Sequence, residues 1–153
     1  MEEFEFDRDD LSVTFDRTFP ADPAQINPVV EAVMQVVTES GCAHGQDFEV
    51  ETALREAIAN AIKHGCHGDA TKTVRCIVAC DQARGMLLVV RDSGHGFDPD
   101  TVPSPLMGEN VFRSHGRGIY LINQLMDEVK YTRGGTEIHM RKHPKPADAP
   151  PAE

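Results

Sequence analysis

The sequence predicts an α/β two-layer sandwich, with helices on one face of a mixed, mainly antiparallel sheet. In some segments apolar residues recur at spacings of three and four, which indicates amphipathic helices. In others they alternate with polar residues or form short apolar runs, which indicates strands. The predicted helices are too few to cover both faces of the predicted sheet, so helices on one face are the economical arrangement.

The predicted elements follow one another in a simple order. A strand at 11–19 precedes a helix that begins at residue 23 or 25, ends at residue 40 and is closed by Gly41. A second helix spans 51–68, with Asp47 as its expected cap and Gly65 and Gly68 at its end. Strands at 71–80 and 86–91, a helix at 116–126 and strands at 128–132 and 136–141 complete the domain, the last two around a Gly134-Gly135 turn.

Composition indicates one soluble domain. The chain has 153 residues, of which 40% are hydrophobic and 26% charged. The formal net charge of −10 argues against direct nucleic-acid binding and fits a partner with a basic surface. No apolar run is long enough to span a bilayer, and the amino terminus is acidic where a signal peptide would be basic. We therefore expect a cytoplasmic protein without membrane contact.

The predicted domain occupies residues 11–142. Residues 1–10 are acidic and are expected to form a flexible terminus, or a loosely added edge strand. Residues 143–153 are rich in Pro and Ala and are expected to be a disordered tail. Residues 98–115 have no clean periodicity, which is typical of a lid, a binding loop or disorder.

The four cysteines are expected to be reduced thiols, because the chain carries no secretion signal. Cys76 and Cys80 would share one sheet face as small buried residues. An alternative is a zinc site, although no C-x-x-C pair is present to favour it. The residues that could contribute to that site are His64, Cys66, His67, Cys76 and Cys80.

The helix at 51–68 carries two stripes of side chains. Glu56, Asn60 and His64 recur every four residues and form a polar stripe beside an apolar face. The amide oxygen of Asn60 can ligate a hard cation, and Glu56 can take a proton nearby. A solvated helix face is the alternative interpretation. The expected apolar face comprises Val50, Leu54, Ala57, Ile58, Ala61 and Ile62.

Two glycine-bearing segments accompany this helix. Asp92 ends a hydrophobic strand, and Gly94 and Gly96 follow it in a turn. Glycines in this turn let a flat ligand approach the backbone closely. The Asp92 carboxylate is expected to accept a hydrogen bond from an exocyclic amine of that ligand. Ser114 to Ile119, SHGRGI, opens a helix whose free N–H groups suit a phosphate. It is neither a Walker loop nor a Rossmann fingerprint, and a hinge for the preceding loop is the alternative.

Taken together, four motifs resemble the GHKL superfamily of histidine-kinase-like ATPases. They are EAIANAIKHG, VRDSGHGF, HGRGI and GGTEI, in that order along nearly the whole predicted domain. Within the superfamily the chain looks like the small stand-alone anti-sigma-factor serine/threonine kinases of bacteria. The resemblance implies a Bergerat-type ATP-binding fold, with ATP and Mg²⁺ as cofactors. Phosphoryl transfer is mostly positioning and charge neutralisation, so no covalent nucleophile is needed.

The resemblance also implies roles for individual residues. Asn60 would bind Mg²⁺ and Glu56 would act as general base, with Lys63 and His64 near the phosphates. Asp92 would accept from the adenine amino group, supported by Thr136, and Gly94 and Gly96 would let adenine lie close. Gly116 and Gly118 would face the phosphates at the end of the lid. Arg117, between them, would add a phosphate contact or, as the alternative, face solvent.

The leading hypothesis from the resemblance is a kinase that phosphorylates an anti-sigma-factor antagonist and sequesters a sigma factor, working as a homodimer. A nucleotide-dependent binding module with little kinase activity is the second hypothesis, although the presence of both Glu56 and Asn60 speaks against it. A histidine-kinase catalytic domain would need an upstream phosphoacceptor hairpin, and a gyrase-type ATPase would need a further domain. Neither is found in the sequence.

Overall fold

The computed structural model describes residues 12–81, 83–94 and 114–144, and within the last range the side chains from residue 119 onward. The predicted acidic terminus at 1–10, most of the predicted lid, Gly96 and nearly all of the predicted tail lie outside these residues. What the sequence predicts for them stays a prediction.

The described strands form one five-stranded sheet in the order β1-β2-β3-β5-β4. Every pairing in it is antiparallel, so the two-layer prediction is confirmed while the parallel component of a mixed sheet is not found among the described strands. The strands are β1 (Ser12–Pro20), β2 (Thr73–Asp81), β3 (Gly85–Asp92), β4 (Glu128–Thr132) and β5 (Glu137–Lys142).

Three helices pack on one face of this sheet among the described residues: α1 (Ile26–Ser40), α2 (Asp47–Asn60) and α3 (Ser114–Leu125). A short 3-10 turn, Pro23–Gln25, precedes α1, and Gly41 ends it in the left-handed region with φ 74°. Asp47 was wrongly predicted as the cap of α2. The cap position is Gln46, and Asp47 is the first helical residue, whose carboxylate accepts a hydrogen bond from Thr38 Oγ1 at 3.1 Å.

The hydrophobic core lies between the helices and the inner face of the sheet. Alternate residues of β2 and β3, starting at Val74 and Met86, face the helices, as the period of two predicts. All six residues of the predicted apolar face of α2 are buried, so that prediction is confirmed. The sheet contributes Val74, Cys76, Val78, Cys80, Met86, Leu88, Val90, Ile138 and Met140 to this core.

The opposite face of the sheet carries a small apolar cluster beside a buried polar network. Glu137 on β5 is fully buried, and its carboxylate accepts from Arg91 Nε at 2.8 Å and contacts His139 Nε2 at 2.6 Å. Burial would raise the pKa of Glu137, but the hydrogen bonds from His139 and Arg91 outweigh it and lower the pKa. The apolar cluster consists of Ile77, Ala79, Leu87 and Val89.

The cysteines do not all remain thiols as the sequence predicts. Cys42, just after α1, and Cys80, near the end of β2, form a disulfide with their Cα atoms 6.0 Å apart. The two residues become neighbours because α1 packs along β2, a contact between distant parts of the chain that sequence reasoning did not anticipate. Cys66 and Cys76 are buried thiols, and burial raises the pKa of Cys76 to about 12.

The zinc alternative has no support in the part of the chain that the structure describes. No cluster of three or more His, Cys, Asp or Glu side chains there could hold a metal ion. Separately, none of the described helices combines the length and the apolar character that crossing a bilayer requires.

Candidate functional site

The site begins where α2 changes its hydrogen-bonding pattern. Asn60 is the last residue of α2, and a π-helical turn, Ala61–Gly65, follows directly. In this turn the N–H of Cys66 donates to the carbonyl of Ala61 at 2.8 Å. Single π-helical turns inside α-helices occur frequently at functional sites, because the extra residue changes which side chains face inward. Here the turn brings the backbone of Gly65 against the end of β3.

Gly65, Asp92 and Gly94 pack so closely that no side chain fits at either glycine. A Cβ at Gly65 would overlap the carboxylate of Asp92, and a Cβ at Gly94 would overlap the carbonyl of Gly65. The N–H of Gly94 donates to Asp92 Oδ1 at 2.8 Å. Steric room for two backbones and one carboxylate is therefore the physical requirement for glycine at both positions.

Sheet order brings Thr136 to the same place. Since β5 is the neighbour of β3, the residue that precedes β5 lies beside the end of β3. The N–H of Asp92 donates to the carbonyl of Thr136 at 2.8 Å, and the Thr136 hydroxyl donates to the carbonyl of Arg133 at 2.8 Å. The turn before β5 is thereby attached to the residue that ends β3.

These elements enclose a cavity between α2, α3 and the sheet, with a volume of about 30 Å³. The sequence-predicted residues Asn60, Asp92 and Thr136 all line it, so the fold brings together three side chains from distant parts of the chain. Its remaining wall is mostly small or apolar. The other lining residues are Ala57, Ala61, Gly65, Val90, Ile119, Ile122, Tyr131, Gly135 and Ile138.

The electrostatics of the cavity follow from burial. Only 8% of Asp92 is exposed, and burial raises the pKa of its carboxyl group, partly offset by the hydrogen bond from Gly94 and the charge of His67. Burial also raises the pKa of Tyr131 to about 12. An acceptor at the back of an apolar cavity suits a flat ligand with one hydrogen-bond donor at its edge.

Among the other predicted site residues that the structure describes, Glu56, Lys63 and His64 lie near the cavity rather than in its wall. Glu56 is half-buried on α2, one turn before Asn60. Lys63 is exposed and His64 half-buried, both in the π-helical turn. The prediction that 114–119 opens a helix is confirmed, since α3 begins at Ser114. Gly116, Arg117 and Gly118 belong to its first turns, whereas Gly96 lies outside the described residues.

Sequence reasoning assigned Gly65 only to the end of the helix and missed its contact with Asp92. The signal was available, because Gly65 closes the motif EAIANAIKHG, but its partner lies on another element and could not be read from spacing. From the sequence, Ile119, Ile122 and Ile138 are predicted only as residues of the hydrophobic core, whereas the structure places them in the wall of the cavity. A cavity lined by core residues gives no separate pattern in the sequence.

Helices cover one face of the sheet, and the carboxylate of Asp92, the carboxamide of Asn60 and the backbone of Gly65 line one cavity between the two layers. The model of the histidine kinase-like ATPase domain family matches residues 19–142, and the chain belongs to this family.

Particular relatives are serine-protein kinases. The chain is similar to "Serine-protein kinase RsbW" of Staphylococcus aureus strains MSSA476, MW2 and JH9. Each is 28% identical over 133 residues, which cover 82% of this chain and 84% of the relative. The likeness therefore extends over nearly the full length of both proteins.

Proposed function

We propose that this protein is an ATP-dependent protein-serine/threonine kinase and anti-sigma factor. It phosphorylates an anti-sigma-factor antagonist and sequesters a sigma factor in a partner-switching module. The observation that carries the proposal is that Asn60 and Asp92, from different elements, line one cavity. The similarity to serine-protein kinase RsbW over most of both chains supports the kinase activity.

Adenine binds at the Asp92 end of the cavity. The carboxylate accepts a hydrogen bond from the exocyclic amine, and Thr136 supports the same edge from the neighbouring turn. The close packing of Gly65 and Gly94 fixes the carboxylate in position, and Gly94 and Gly96 let the base lie near the backbone. The apolar side chains Ile119, Ile122 and Ile138 supply the faces against which a flat base packs.

The triphosphate lies toward the end of α2 and the start of α3. Asn60 offers an amide oxygen to Mg²⁺, which neutralises phosphate charge when it is bound and needs few protein ligands. Lys63, His64 and Arg117 supply positive or donor groups, and Gly116 and Gly118 supply backbone N–H groups in the first turns of α3. The oxygen of the substrate's serine or threonine hydroxyl attacks the γ-phosphorus, and Glu56 accepts the proton of that hydroxyl. The bond between the γ-phosphorus and the β–γ bridging oxygen breaks, and ADP leaves.

Nucleotide binding requires the cavity to widen. Its volume of about 30 Å³ is well below the roughly 300–1,000 Å³ that small-ligand pockets span. The wall formed by Ile119 and Ile122 belongs to α3, and the facing wall formed by Ala57 and Ala61 belongs to α2 and the π-helical turn. Separation of α3 from α2 is therefore the movement that admits the base.

The two protein partners and a homodimeric state belong to the same proposal. The net charge of −10 favours protein partners with basic surfaces over nucleic acid. A binding module that responds to nucleotide without transferring phosphate is the second candidate, because the described residues establish the cavity rather than turnover.

Phosphate transfer separates the two candidates. The protein is used to capture partners from the native bacterium with and without ATP, and the captured antagonist is then incubated with γ-labelled ATP and the pure protein. We expect label on a serine or threonine of the antagonist, and loss of that label with Glu56→Gln. Glu51→Gln is the matched control, since Glu51 lies on α2 and pairs with Arg55 at 3.4 Å. ATP-dependent capture without any label would favour the binding module.

A further inference from the structure

A second cavity lies at the same end of the sheet, bordered by outward-facing residues of the helix-free face. Its volume is about 430 Å³, within the range of roughly 300–1,000 Å³ that small-ligand pockets occupy. Its lining includes three arginines, Arg75, Arg91 and Arg133, and four hydroxyl-bearing residues, Thr18, Thr73, Ser93 and Thr136. The cavity shares Asp92 and Thr136 with the nucleotide cavity.

Three different elements supply the arginines, and carboxylates outside the cavity hold two of them in place. Asp16 on β1 accepts from Arg75 Nε at 3.0 Å and from Nη2 at 2.8 Å. Glu137 on β5 accepts from Arg91 Nε at 2.8 Å. Carboxylates that hold guanidinium groups in fixed orientations preorganise them for a ligand.

Arg133 is the third and most accessible of the arginines. It lies in the 3-10 turn before β5 with φ 55°, an uncommon conformation for a residue with a side chain. Its side chain is 52% exposed, and its Nε lies 3.8 Å from Glu137 Oε1. Such conformations persist where the surrounding structure maintains them, and here the carbonyl of Arg133 accepts from the hydroxyl of Thr136 at 2.8 Å.

The hydroxyl groups of Ser93 and Thr136 are also held by hydrogen bonds. Ser93 Oγ accepts from the N–H of Thr73 at 2.9 Å, and the N–H of Ser93 donates to the carbonyl of Thr73 at 3.1 Å. Asp92 also borders the cavity, but its carboxylate accepts from Gly94 and lies against Gly65 on the helix side. The cavity therefore combines ordered guanidinium groups with ordered hydroxyls in a chain whose net charge is −10.

We propose that this cavity is a binding site for an oxyanion, a phosphate or carboxylate group, and that it adjoins the nucleotide site at Asp92 and Thr136. Guanidinium groups match the two-oxygen geometry of phosphate and carboxylate. The site does not depend on the proposed kinase reaction. Because the turn from Arg133 to Thr136 borders both cavities, an anion here contacts the back of the nucleotide site.

The test is a titration of the ¹⁵N-labelled protein with sodium phosphate, exchanged for sodium chloride at constant ionic strength and followed by amide NMR. We expect saturable shifts at Ser93, Arg133 and Thr136. Arg133→Gln should weaken the affinity by about tenfold or more, since a charge-assisted hydrogen bond is lost. A second titration with glutarate distinguishes the sources: saturation by phosphate alone assigns a phosphate ligand, and saturation by glutarate alone assigns a carboxylate.

Arg84→Gln is the matched control. Arg84 is a turn arginine with 54% of its side chain exposed and a carboxylate partner, Asp81, at 3.7 Å, but it lies at the opposite end of β3. It should bind phosphate as the wild type does. Arg75→Gln is a second variant in case Arg133→Gln perturbs the turn. The proposal is overturned if neither anion saturates, if both cavity variants bind like the control, or if the shifts concentrate at Asn60 and Ile119 instead.

Discussion

The burial of Asp92 favours ligand binding but lowers the stability of the protein at neutral pH. A buried carboxylate gives the proposed adenine site its hydrogen-bond acceptor, and the same burial raises its pKa. The folded protein therefore holds the proton more tightly than the unfolded chain does. Protonated Asp92 therefore stabilises the fold fully below the pKa it has in the unfolded chain, about 3.9. This stabilisation is lost as the pH rises through the higher pKa that Asp92 has in the folded protein.

Asp92→Asn should consequently stabilise the protein at neutral pH while it weakens nucleotide binding. The melting temperature should rise relative to wild type at pH 7, and the difference should vanish below about pH 3.9. Loss of a charge-assisted hydrogen bond should lower ATP affinity by roughly 10- to 150-fold. Thermal melts across pH and calorimetric titration measure the two effects. A lower melting temperature with unchanged affinity would contradict both.

The contribution of Glu137 to stability should depend on pH in the opposite direction. Its lowered pKa means that its contribution to stability is present above the unfolded pKa, about 4.3, and is lost as the pH falls through the lower folded value. Glu137→Gln leaves the charge of Arg91 without its carboxylate and should destabilise the protein by about 3 kcal/mol at pH 7.

Urea unfolding at several pH values measures this destabilisation. The difference in the free energy of unfolding between wild type and Glu137→Gln should shrink as the pH falls below about 4.3. Glu128→Gln is the control, since Glu128 pairs with His143 at an exposed position and should change stability little. Equal losses for the two variants would exclude a special role for the buried network.

Individual residues of the site could be predicted where a short sequence pattern marks them. Asn60 and Asp92 stand out because a carboxamide at helical spacing and an aspartate before a glycine turn are visible in the sequence. Their common cavity was not derivable from spacing alone, since it depends on sheet order. The disulfide between Cys42 and Cys80 was not anticipated, because its residues meet only through packing across a separation of 38 residues.

At the scale of elements, the end of α2 determines the geometry of the site. The apolar spacing predicts one continuous helix through residue 68, whereas the structure ends α2 at Asn60 and continues with the π-helical turn. Periodicity does not distinguish these two forms over so few residues. The change places Gly65 against Asp92, a contact that the predicted helix does not contain.

Gly65→Ala tests this geometry. The added methyl group would overlap the Asp92 carboxylate, so we expect a destabilisation of about 1–3 kcal/mol and loss of most ATP affinity. Gly68→Ala is the comparison, because Gly68 has φ 71° and a methyl group added there would meet no atom within 4 Å. It should destabilise through backbone strain alone and leave nucleotide affinity intact. Denaturant unfolding with calorimetric titration separates the two, and wild-type affinity in Gly65→Ala would contradict the packing argument.

Sheet order is the element-scale property that the sequence could least predict. The strands at 128–132 and 137–142 were recognised by their pattern, with boundaries shifted by about one residue. Nothing in that pattern says that β5 rather than β4 pairs with β3. This choice places Thr136 beside Asp92, and the family resemblance, rather than periodicity, implied their shared role.

At the scale of the whole molecule, the disulfide closes a loop of 38 residues between α1 and β2. A chain-entropy argument gives about 4 kcal/mol of stabilisation for a loop of this length. We expect the denatured protein to expose two thiols to a thiol reagent before reduction and four after it. Reduction should lower the melting temperature, and Cys42→Ser with Cys80→Ser should be insensitive to reductant. Four reactive thiols in the untreated protein would contradict the disulfide.

We propose that Asn60 and Asp92 hold a magnesium-bound adenine nucleotide between α2, α3 and the sheet. Calorimetric titration of ATP into the protein, with and without magnesium, tests it most directly. We expect magnesium-dependent binding that Asn60→Ala weakens by about tenfold or more and that Asn27→Ala, at an exposed position of α1, leaves unchanged. No magnesium-dependent binding, or equal binding by Asn60→Ala and wild type, would contradict it.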